Sequence, residues 1–236
     1  MKRLIVTCLL AGLTAVGTTR AADPELKTDD DKALYALGAF LAARGNLNAF
    51  ALTPNELAIL QMGISDLANE KPLKLDLEKS MSAIQAFAAK RMPAAADARA
   101  VVEKKKGKAY LETVAAKPTV KKMPSGFYME ALTEGKGPSP VSTDSVKVNY
   151  KGALIDGKVF DESAKSGGPA TFKVTQLVPC WRQALEFMKP GGKAKVYCPP
   201  ELGYGDVWHG IDIPPGSTMV FDLELLEIVK PDAAAK

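Results

Sequence analysis

The chain has 236 residues, of which 47% are hydrophobic and 25% are charged, and its formal net charge is +4. This length suits one large or two small domains, and this composition excludes wholesale disorder and collagen-like repeats. The charge is too small for a dedicated nucleic-acid binder, which carries a marked basic excess.

The first 21 residues have the organisation of a secretory signal peptide. A basic start at residues 1–3 precedes an apolar run at 4–16 that is too short to span a bilayer, and small residues follow at the usual cleavage positions. We expect cleavage after Ala21. Cys8 lies too early in the apolar run for a lipidation site, and no later segment is apolar for long enough to form an integral membrane helix.

Removing this segment would take away three basic residues and no acidic one, which leaves 28 Lys and Arg residues against 27 Asp and Glu residues. It would also leave two cysteines, Cys180 and Cys198. Two thiols in an oxidising compartment are candidates for a disulfide, and the alternative is a pair of buried free cysteines. A sequence does not give the separation of their Cβ atoms, so both alternatives stay open.

Residues 30–116 have apolar side chains at the spacing of amphipathic helices. Leu34, Leu37 and Leu41 indicate the first helix. The segment 53–56, Thr-Pro-Asn-Glu, starts the second, because it places a threonine cap, a proline and a glutamate where each stabilises a helix N-terminus. The apolar stripes of these short helices need cover that about 60 residues cannot supply alone. Self-association and packing on the C-terminal half are the two ways to cover them.

A third helix is expected to run from Leu77 to Pro93, where the proline ends it. The segment 94–117 then predicts a long helix with few large apolar groups, which is typical of a spacer. We interpret the three consecutive lysines at 104–106 as a solvated face of this helix rather than as a site for anions or membranes.

After residue 117 the apolar residues alternate with polar ones, which is typical of β-strands. The alternation is clear at 146–151, and Asp156-Gly157 is a turn signal before the next short strand. The segment 179–188 is the only substantial helix expected in this half. These elements predict an antiparallel sheet wrapped on one helix, which is an α+β domain.

The usual devices of covalent and metal-dependent catalysis are missing from this half. His209 is the single histidine of the chain, and it lies in a glycine-flanked loop rather than on a rigid element. Two cysteines and one histidine without ligand spacing argue against zinc, and no glycine pair belongs to a phosphate-binding loop. We therefore expect no metal and no cofactor. What remains is a set of aromatic residues: Tyr150, Phe160, Phe172, Trp181, Tyr204 and Phe221.

The order of these residues resembles the FKBP-type peptidyl-prolyl cis-trans isomerases, the rotamases that act on X-Pro bonds. The segments that carry the resemblance are 146–163, 177–181, 184–193, 199–205, 213–218 and 220–226. Residues 30–116 resemble the helical extension of the periplasmic FkpA and macrophage infectivity potentiator (Mip) branch of that family. The resemblance implies an α+β chain with a helical N-terminal dimerisation domain, a long linker helix and a C-terminal FKBP-like antiparallel sheet wrapped on one short helix.

The same resemblance implies a division of the chain and a function. The segments expected are a signal peptide at 1–21, a dimerisation domain at 22–93, a linker helix at 94–117, an isomerase domain at 118–230 and a disordered tail at 231–236. The implied function is isomerisation of X-Pro bonds in folding envelope proteins, with chaperone activity. The alternatives are a dimeric client-binding chaperone with weak or no isomerase activity and, less favoured, a structural surface protein.

The partners and the location follow from the same resemblance. We expect unfolded or partly folded proline-containing proteins as clients, a homodimer, and binding of the macrolide inhibitors of the family. No nucleic-acid partner is expected. The chain is expected in the periplasm, where it either stays soluble or associates with the outer membrane or the surface.

By the resemblance, Trp181 forms the floor of a pocket for the proline ring, and Asp161 and Tyr204 supply the polar groups beside the amide. For Asp161 the alternative is an acidic residue that only stabilises a turn after Phe160. The backbone N–H of Val178 would bind a substrate carbonyl. The remaining substrate-binding residues implied are Tyr150, Phe160, Phe172, Leu177, Ile213 and Phe221.

Three departures from the family pattern stand out. Cys180 replaces the usual glycine before the tryptophan, and Cys198 replaces an apolar strand residue. Because a bridge needs both partners, the paired change favours the disulfide. In the loop 206–212, Asp212 replaces an apolar residue, and Trp208 is either an exposed lid over the site or a ring folded back onto the surface.

Overall fold

The computed structural model describes residues 24–229. The expected signal peptide and its cleavage point after Ala21, Cys8 and the tail at 231–236 lie outside the described residues. Within 24–229 the chain forms four α-helices and seven β-strands. The helices are α1 (Asp29–Arg44), α2 (Pro54–Ala68), α3 (Leu77–Ala115) and α4 (Pro179–Glu186). The strands are β1 (Val120–Lys122), β2 (Tyr128–Thr133), β3 (Ser145–Leu154), β4 (Val159–Glu162), β5 (Ala170–Lys173), β6 (Lys193–Cys198) and β7 (Met219–Val229).

Helix α1 begins where acidic residues and a threonine favour a helix start. Asp29, Asp30 and Asp31 occupy its first turn, where carboxylates interact well with the helix dipole. The hydroxyl of Thr28 accepts a hydrogen bond from the backbone N–H of Asp31 at 3.0 Å. No residue of α1 is buried, and Leu34 is 68% exposed. The predicted apolar stripe is therefore present and open to solvent.

Helix α2 begins at the predicted cap. The carboxylate of Glu56 accepts a hydrogen bond from the N–H of Thr53 at 2.7 Å, and the Thr53 hydroxyl accepts one from the Glu56 N–H. The Arg91 guanidinium of α3 contacts the same carboxylate at 3.0 Å and donates to the carbonyl oxygens of Phe50 and Ala51. The hydrogen bond from the Thr53 backbone, ahead of the other contacts, lowers the pKa of Glu56.

Helix α3 is continuous from Leu77 to Ala115 and contains Pro93, so the prediction that Pro93 ends a helix is wrong. A proline within a helix costs about 3 kcal/mol because one hydrogen bond is lost and its ring crowds the preceding turn. Here tertiary contacts hold both sides of the proline. Arg91 fixes the turn before it, and Ala100 packs against the backbone of Gly216 after it.

The C-terminal half of α3 packs on the domain formed by β1–β7 and α4, here called the sheet domain, a contact that the expectation of a spacer did not include. Its buried residues, Ala100, Gly107 and Val114, recur every seven residues and share one face. Gly107 lies so close to Thr218 that a Cβ would not fit there. A side chain at Gly216, which has a φ of +72°, would collide with the backbone of Ala100. The helix backbone therefore contacts the sheet domain directly.

The sheet is antiparallel throughout, with the order β1-β2-β6-β7-β3-β4, and β5 pairs with β3. β7 lies between β6 and β3 in the centre. The fully buried side chains Val146, Val148 and Leu225 belong to the same core cluster as the buried residues of α4, and the α+β prediction is confirmed. β1 and β2 were not predicted, because their short segments lack a sustained alternation of apolar and polar residues.

Candidate active site

Most of the residues proposed for the site surround one cavity of about 280 Å³ on the sheet domain. Nine of the ten non-cysteine candidates line it, together with Gln176. The lining residues are Tyr150, Phe160, Asp161, Phe172, Gln176, Leu177, Val178, Trp181, Tyr204 and Phe221. Residues that are up to 71 positions apart in the sequence therefore converge on one concave surface.

The aromatic rings of the cavity are arranged around Trp181, which is 5% exposed. Its ring centroid lies 5.2 Å from those of Tyr150 and Phe221 and 6.2 Å from that of Phe172, with interplanar angles of 70°, 89° and 84°. Phe160 meets Phe221 at 5.8 Å and 86°. Edge-to-face contacts of this kind are the favoured geometry for aromatic pairs, and they fix each ring in place.

Helix α4 places Trp181 in this cluster. The helix starts at Pro179, whose fixed φ and missing N–H suit the first helical position. Its buried residues Cys180, Trp181, Ala184 and Leu185 follow helical spacing and form the face that packs on the sheet. The tryptophan is thus held by a buried helix rather than by a loop.

The polar edge of the cavity consists of Asp161 and two tyrosines. The Tyr150 hydroxyl donates a hydrogen bond to Oδ2 of Asp161 at 2.8 Å, and the Asp161 side chain stays exposed to solvent. Burial first, and then this hydrogen bond, raises the pKa of Tyr150 to about 12. Tyr150 therefore stays protonated at neutral pH and holds the carboxylate at the mouth of the cavity.

Tyr204 and Val178 each present an unengaged hydrogen-bond donor. Burial, followed by the charge of Asp161, raises the pKa of Tyr204, so its hydroxyl is protonated at neutral pH. Within residues 24–229, neither that hydroxyl nor the backbone N–H of Val178 donates to any protein group. Both are free to bind a carbonyl oxygen of a ligand.

Ile213 is the one candidate that the structure does not bring to the cavity wall. It is 4% exposed, belongs to the core and exchanges backbone hydrogen bonds with His209 at 3.1 and 3.4 Å. The pairing turns its backbone to the loop and leaves its side chain in the interior. Gln176 takes a place in the lining that the sequence did not suggest, because a lone glutamine before an apolar pair gives no functional signal.

Cys180 and Cys198 form a disulfide, with Cα atoms 5.9 Å apart and both residues fully buried. The bond joins the first turn of α4, next to Trp181, to the last residue of β6. β6 continues through Pro199 and Pro200 to the turn that carries Tyr204. The disulfide therefore links the two segments that supply the floor and one edge of the cavity.

The loop 206–212 carries its exposed apolar surface on Val207 and Ile211, which are 63% and 45% exposed. Trp208 is partly buried and its indole N–H is shielded from solvent, which favours the folded-back alternative over an exposed lid. In the described range 24–229, no cluster of His, Cys, Asp or Glu side chains could hold a metal ion. No helix in that range combines the length and apolar character that crossing a bilayer requires.

Comparisons with known proteins match the chain to one family. Residues 137–226 match the family model of the FKBP-type peptidyl-prolyl cis-trans isomerase, and residues 30–130 match the domain amino terminal to it. FkpA of Escherichia coli K12 is 37% identical over 270 residues, which cover 100% of this chain and 97% of FkpA. The outer membrane protein MIP of Legionella longbeachae is 35% identical over 237 residues, covering 98% and 99%.

The crystal structure of E. coli FkpA matches with a TM-score of 0.60 at 37% identity, covering 87% of this chain and 99% of that one. The matches to the two family models, over residues 30–130 and 137–226, confirm the resemblance seen in the sequence. The chain belongs to the FKBP-type peptidyl-prolyl cis-trans isomerase family, in the group whose isomerase domain follows a helical N-terminal domain.

Proposed function

We propose that the chain accelerates cis–trans isomerisation of X-Pro bonds in folding envelope proteins and that the cavity around Trp181 is the site. The observation that carries this proposal is the convergence of six aromatic rings and two free hydrogen-bond donors on one small cavity. A proline ring is apolar and compact, and it fits a ring-lined hollow of this size. The two flanking carbonyl groups of the substrate need donors, which Tyr204 and Val178 supply.

The reaction needs neither a nucleophile nor a metal. Rotation about the peptide bond has a barrier of about 18–20 kcal/mol, because amide resonance is lost as the bond twists. The twisted amide has less charge separation than the planar one, so an apolar, water-poor site disfavours the planar ground state relative to the transition state. Binding of the carbonyl oxygens to fixed donors holds the two ends of the substrate while the bond between them turns.

Each residue then has a distinct role. Trp181 lies under the proline ring and excludes water from it, and the surrounding rings form the walls. Tyr204 and the Val178 N–H bind substrate carbonyls. Asp161, held by Tyr150 at 2.8 Å, places a negative charge at the edge of the site where the amide dipole reorients.

The test is a protease-coupled peptide assay on the mature chain. Tyr204→Phe should lower kcat/KM about two- to twelvefold, which corresponds to the 0.5–1.5 kcal/mol of one neutral hydrogen bond. Asp161→Ala should lower it as well. Tyr128→Phe and Glu227→Ala are matched controls, since they remove a hydroxyl and a carboxylate away from the cavity and should leave the rate unchanged. Wild-type rates in both cavity variants would refute the assigned site.

We also propose that the chain forms a homodimer through its helical half. A groove of about 610 Å³ is lined almost wholly by apolar side chains of α2, α3 and the turn before α2, among them Phe50, Leu60 and Phe87. An open apolar groove of that size favours burial against a partner. Ile84→Glu, within the groove, should give a monomer by light scattering, whereas Val101→Glu, at a 71% exposed position of the same helix, should stay dimeric.

We propose, in addition, that the dimer has chaperone activity. It predicts that Asp161→Ala and Tyr204→Phe slow isomerisation but leave suppression of client aggregation largely intact. Equal loss of both activities in folded variants would contradict separate sites. A dimer that suppresses aggregation with no measurable isomerase activity would support the alternative of a client-binding chaperone.

We infer export to the periplasm from the segment at 1–21. The Legionella relative is named an outer membrane protein, so fractionation of the cell envelope should include that membrane. Macrolide inhibitors of the family should compete with peptide substrate for the cavity, and Trp181→Ala should weaken their binding.

A further inference from the structure

The loop that follows Tyr204 is fixed by an ion pair at each end. Near its start, the Lys104 ammonium of α3 contacts Oδ2 of Asp206 at 2.6 Å. Near its end, Lys158 of the β3–β4 turn contacts Oδ1 of Asp212 at 2.7 Å. The two pairs attach the loop to two different elements, one of which is the long helix.

The loop in turn contacts a ring of the cavity. The ring of His209 stacks on that of Tyr204, with centroids 3.8 Å apart and planes inclined by 11°. Tyr204 lines the cavity, and its hydroxyl is one of the two free donors there. The position of the loop therefore determines what packs against the face of Tyr204.

The helical end of the first ion pair cannot move freely. Lys104 lies between Ala100 and Gly107, the residues where the α3 backbone comes closest to the sheet domain, at Gly216 and Thr218. The α3 backbone is therefore closely packed on the sheet domain on both sides of Lys104. Lys104 thus presents its ammonium at a fixed place beside the loop. Hydrogen bonding to Asp206 raises the pKa of Lys104, so its ammonium stays charged throughout the neutral range.

We propose that Lys104 and Asp206 are positioning residues for the isomerase site, which fix the 205–213 loop against α3 and thereby hold His209 on the ring of Tyr204. This proposal rests on the proposed function of the cavity. It makes the docked half of α3 a part of the catalytic apparatus, although no residue of that helix lines the cavity.

The exposure of the pair separates positioning from general stabilisation. The two side chains are 40% and 47% exposed, and exposed ion pairs contribute little to folding. Loss of the pair should therefore leave the unfolding transition in place while it changes the loop. If the ion pair had a purely structural role, its loss would change neither the position of the loop nor the rate of isomerisation.

The experiment is a charge-swap cycle in the full mature chain. The variants are Lys104→Glu, Asp206→Lys and the double swap, with Lys105→Glu as the matched control because Lys105 is exposed and has no ion-pair partner among residues 24–229. Glu201 also faces Lys104, so Lys104→Met serves as the milder variant that adds no repulsion. Each is measured for kcat, KM, urea midpoint and tryptophan fluorescence, since Trp208 lies in the loop.

Each single change should lower kcat/KM two- to fivefold with an unchanged urea midpoint, and the double swap should restore at least half of the loss. Salt at 0.5 M should bring the wild-type rate toward that of Lys104→Met, because screening weakens an exposed pair. Lys105→Glu should match the wild type. Failure of the swap to restore the rate, or equal rates for Lys104→Glu and Lys105→Glu, would overturn the positioning role. Lack of activity in the wild type would instead overturn the proposed function.

Discussion

Helices α1 and α2 and the sheet domain differ in what they do with apolar side chains. No residue of α1 or α2 is buried, and Leu67 is 62% exposed. In the sheet domain, Val146, Val148 and Leu225 are fully buried. The sheet domain therefore completes its core within one chain, whereas the helices leave theirs open. One sequence thus encodes a domain with a complete core and helices whose apolar faces are uncovered within residues 24–229.

Truncation of core and surface leucines tests this contrast directly and should give the greatest change in stability. Leu225→Ala should destabilise the sheet domain by about 2–5 kcal/mol, because it opens a cavity in a fully packed core. Leu67→Ala should change the unfolding of the dilute monomer by less than about 0.5 kcal/mol, as is usual for exposed positions, and should weaken self-association instead. Urea unfolding and light scattering measure the two quantities. Similar destabilisation by both variants in the monomer would remove the contrast.

Removal of the disulfide should have the next largest effect. For cysteines 18 residues apart, the loss of a cross-link in the unfolded chain corresponds to about 3 kcal/mol. The Cys180→Ala/Cys198→Ala double variant should unfold at lower urea concentration, and its Trp181 fluorescence should report a changed cavity floor. Mass analysis after thiol alkylation, with and without reductant, checks the bond itself. Free thiols on both cysteines in protein purified from the periplasm would contradict it.

Truncation tests whether the sheet domain ends at β1 or includes part of α3. A chain that begins at residue 97 keeps the docked face of the helix and should be monomeric, active and as stable as the full-length domain. A chain that begins at residue 116 loses the buried side chain of Val114, and we expect it to be less stable by about 1.5–3 kcal/mol. Equal urea midpoints for the two would show that α3 acts only as a spacer.

The weakest effect is confined to high pH. The pKa of Tyr150 and that of Tyr197 are raised to about 12, in both cases first by burial. Because the folded state holds these protons more tightly than the unfolded chain, the stabilisation is complete below pH 10 and is lost as the pH rises through 12. Urea midpoints should be flat to about pH 10 and then fall. Tyr197→Phe should make that fall shallower, and an unchanged slope would contradict burial of this hydroxyl as its cause.

Elements and site residues could be predicted from the sequence wherever a short segment is sufficient to identify them. The Thr-Pro-Asn-Glu segment predicted the start of α2, and the resemblance of short segments to the family pattern implied nine of the ten lining residues of the cavity. Both depend on residues whose neighbours in the chain are sufficient to identify them.

The rest depends on contacts between distant segments. Pro93 remains inside α3 because Arg91 and Ala100 are held by other parts of the chain. From the sequence, Gly107 is expected to weaken a polar helix, but in the structure it lies where that helix contacts Thr218. Ile213 belongs to a segment that resembles the family, but its side chain is buried in the core and does not line the cavity. None of these outcomes can be derived from periodicity, which describes a single element.

The place of β7 in the sheet has a consequence for how the protein is made. β7 pairs with β3 on one side and with β6 on the other, and it is the last of the seven strands to leave the ribosome. Until it arrives, the earlier strands lack the central strand that joins them, and long-range pairing of this kind is slow to form. The antiparallel sheet is therefore completed only after this last strand of 11 residues has been synthesised.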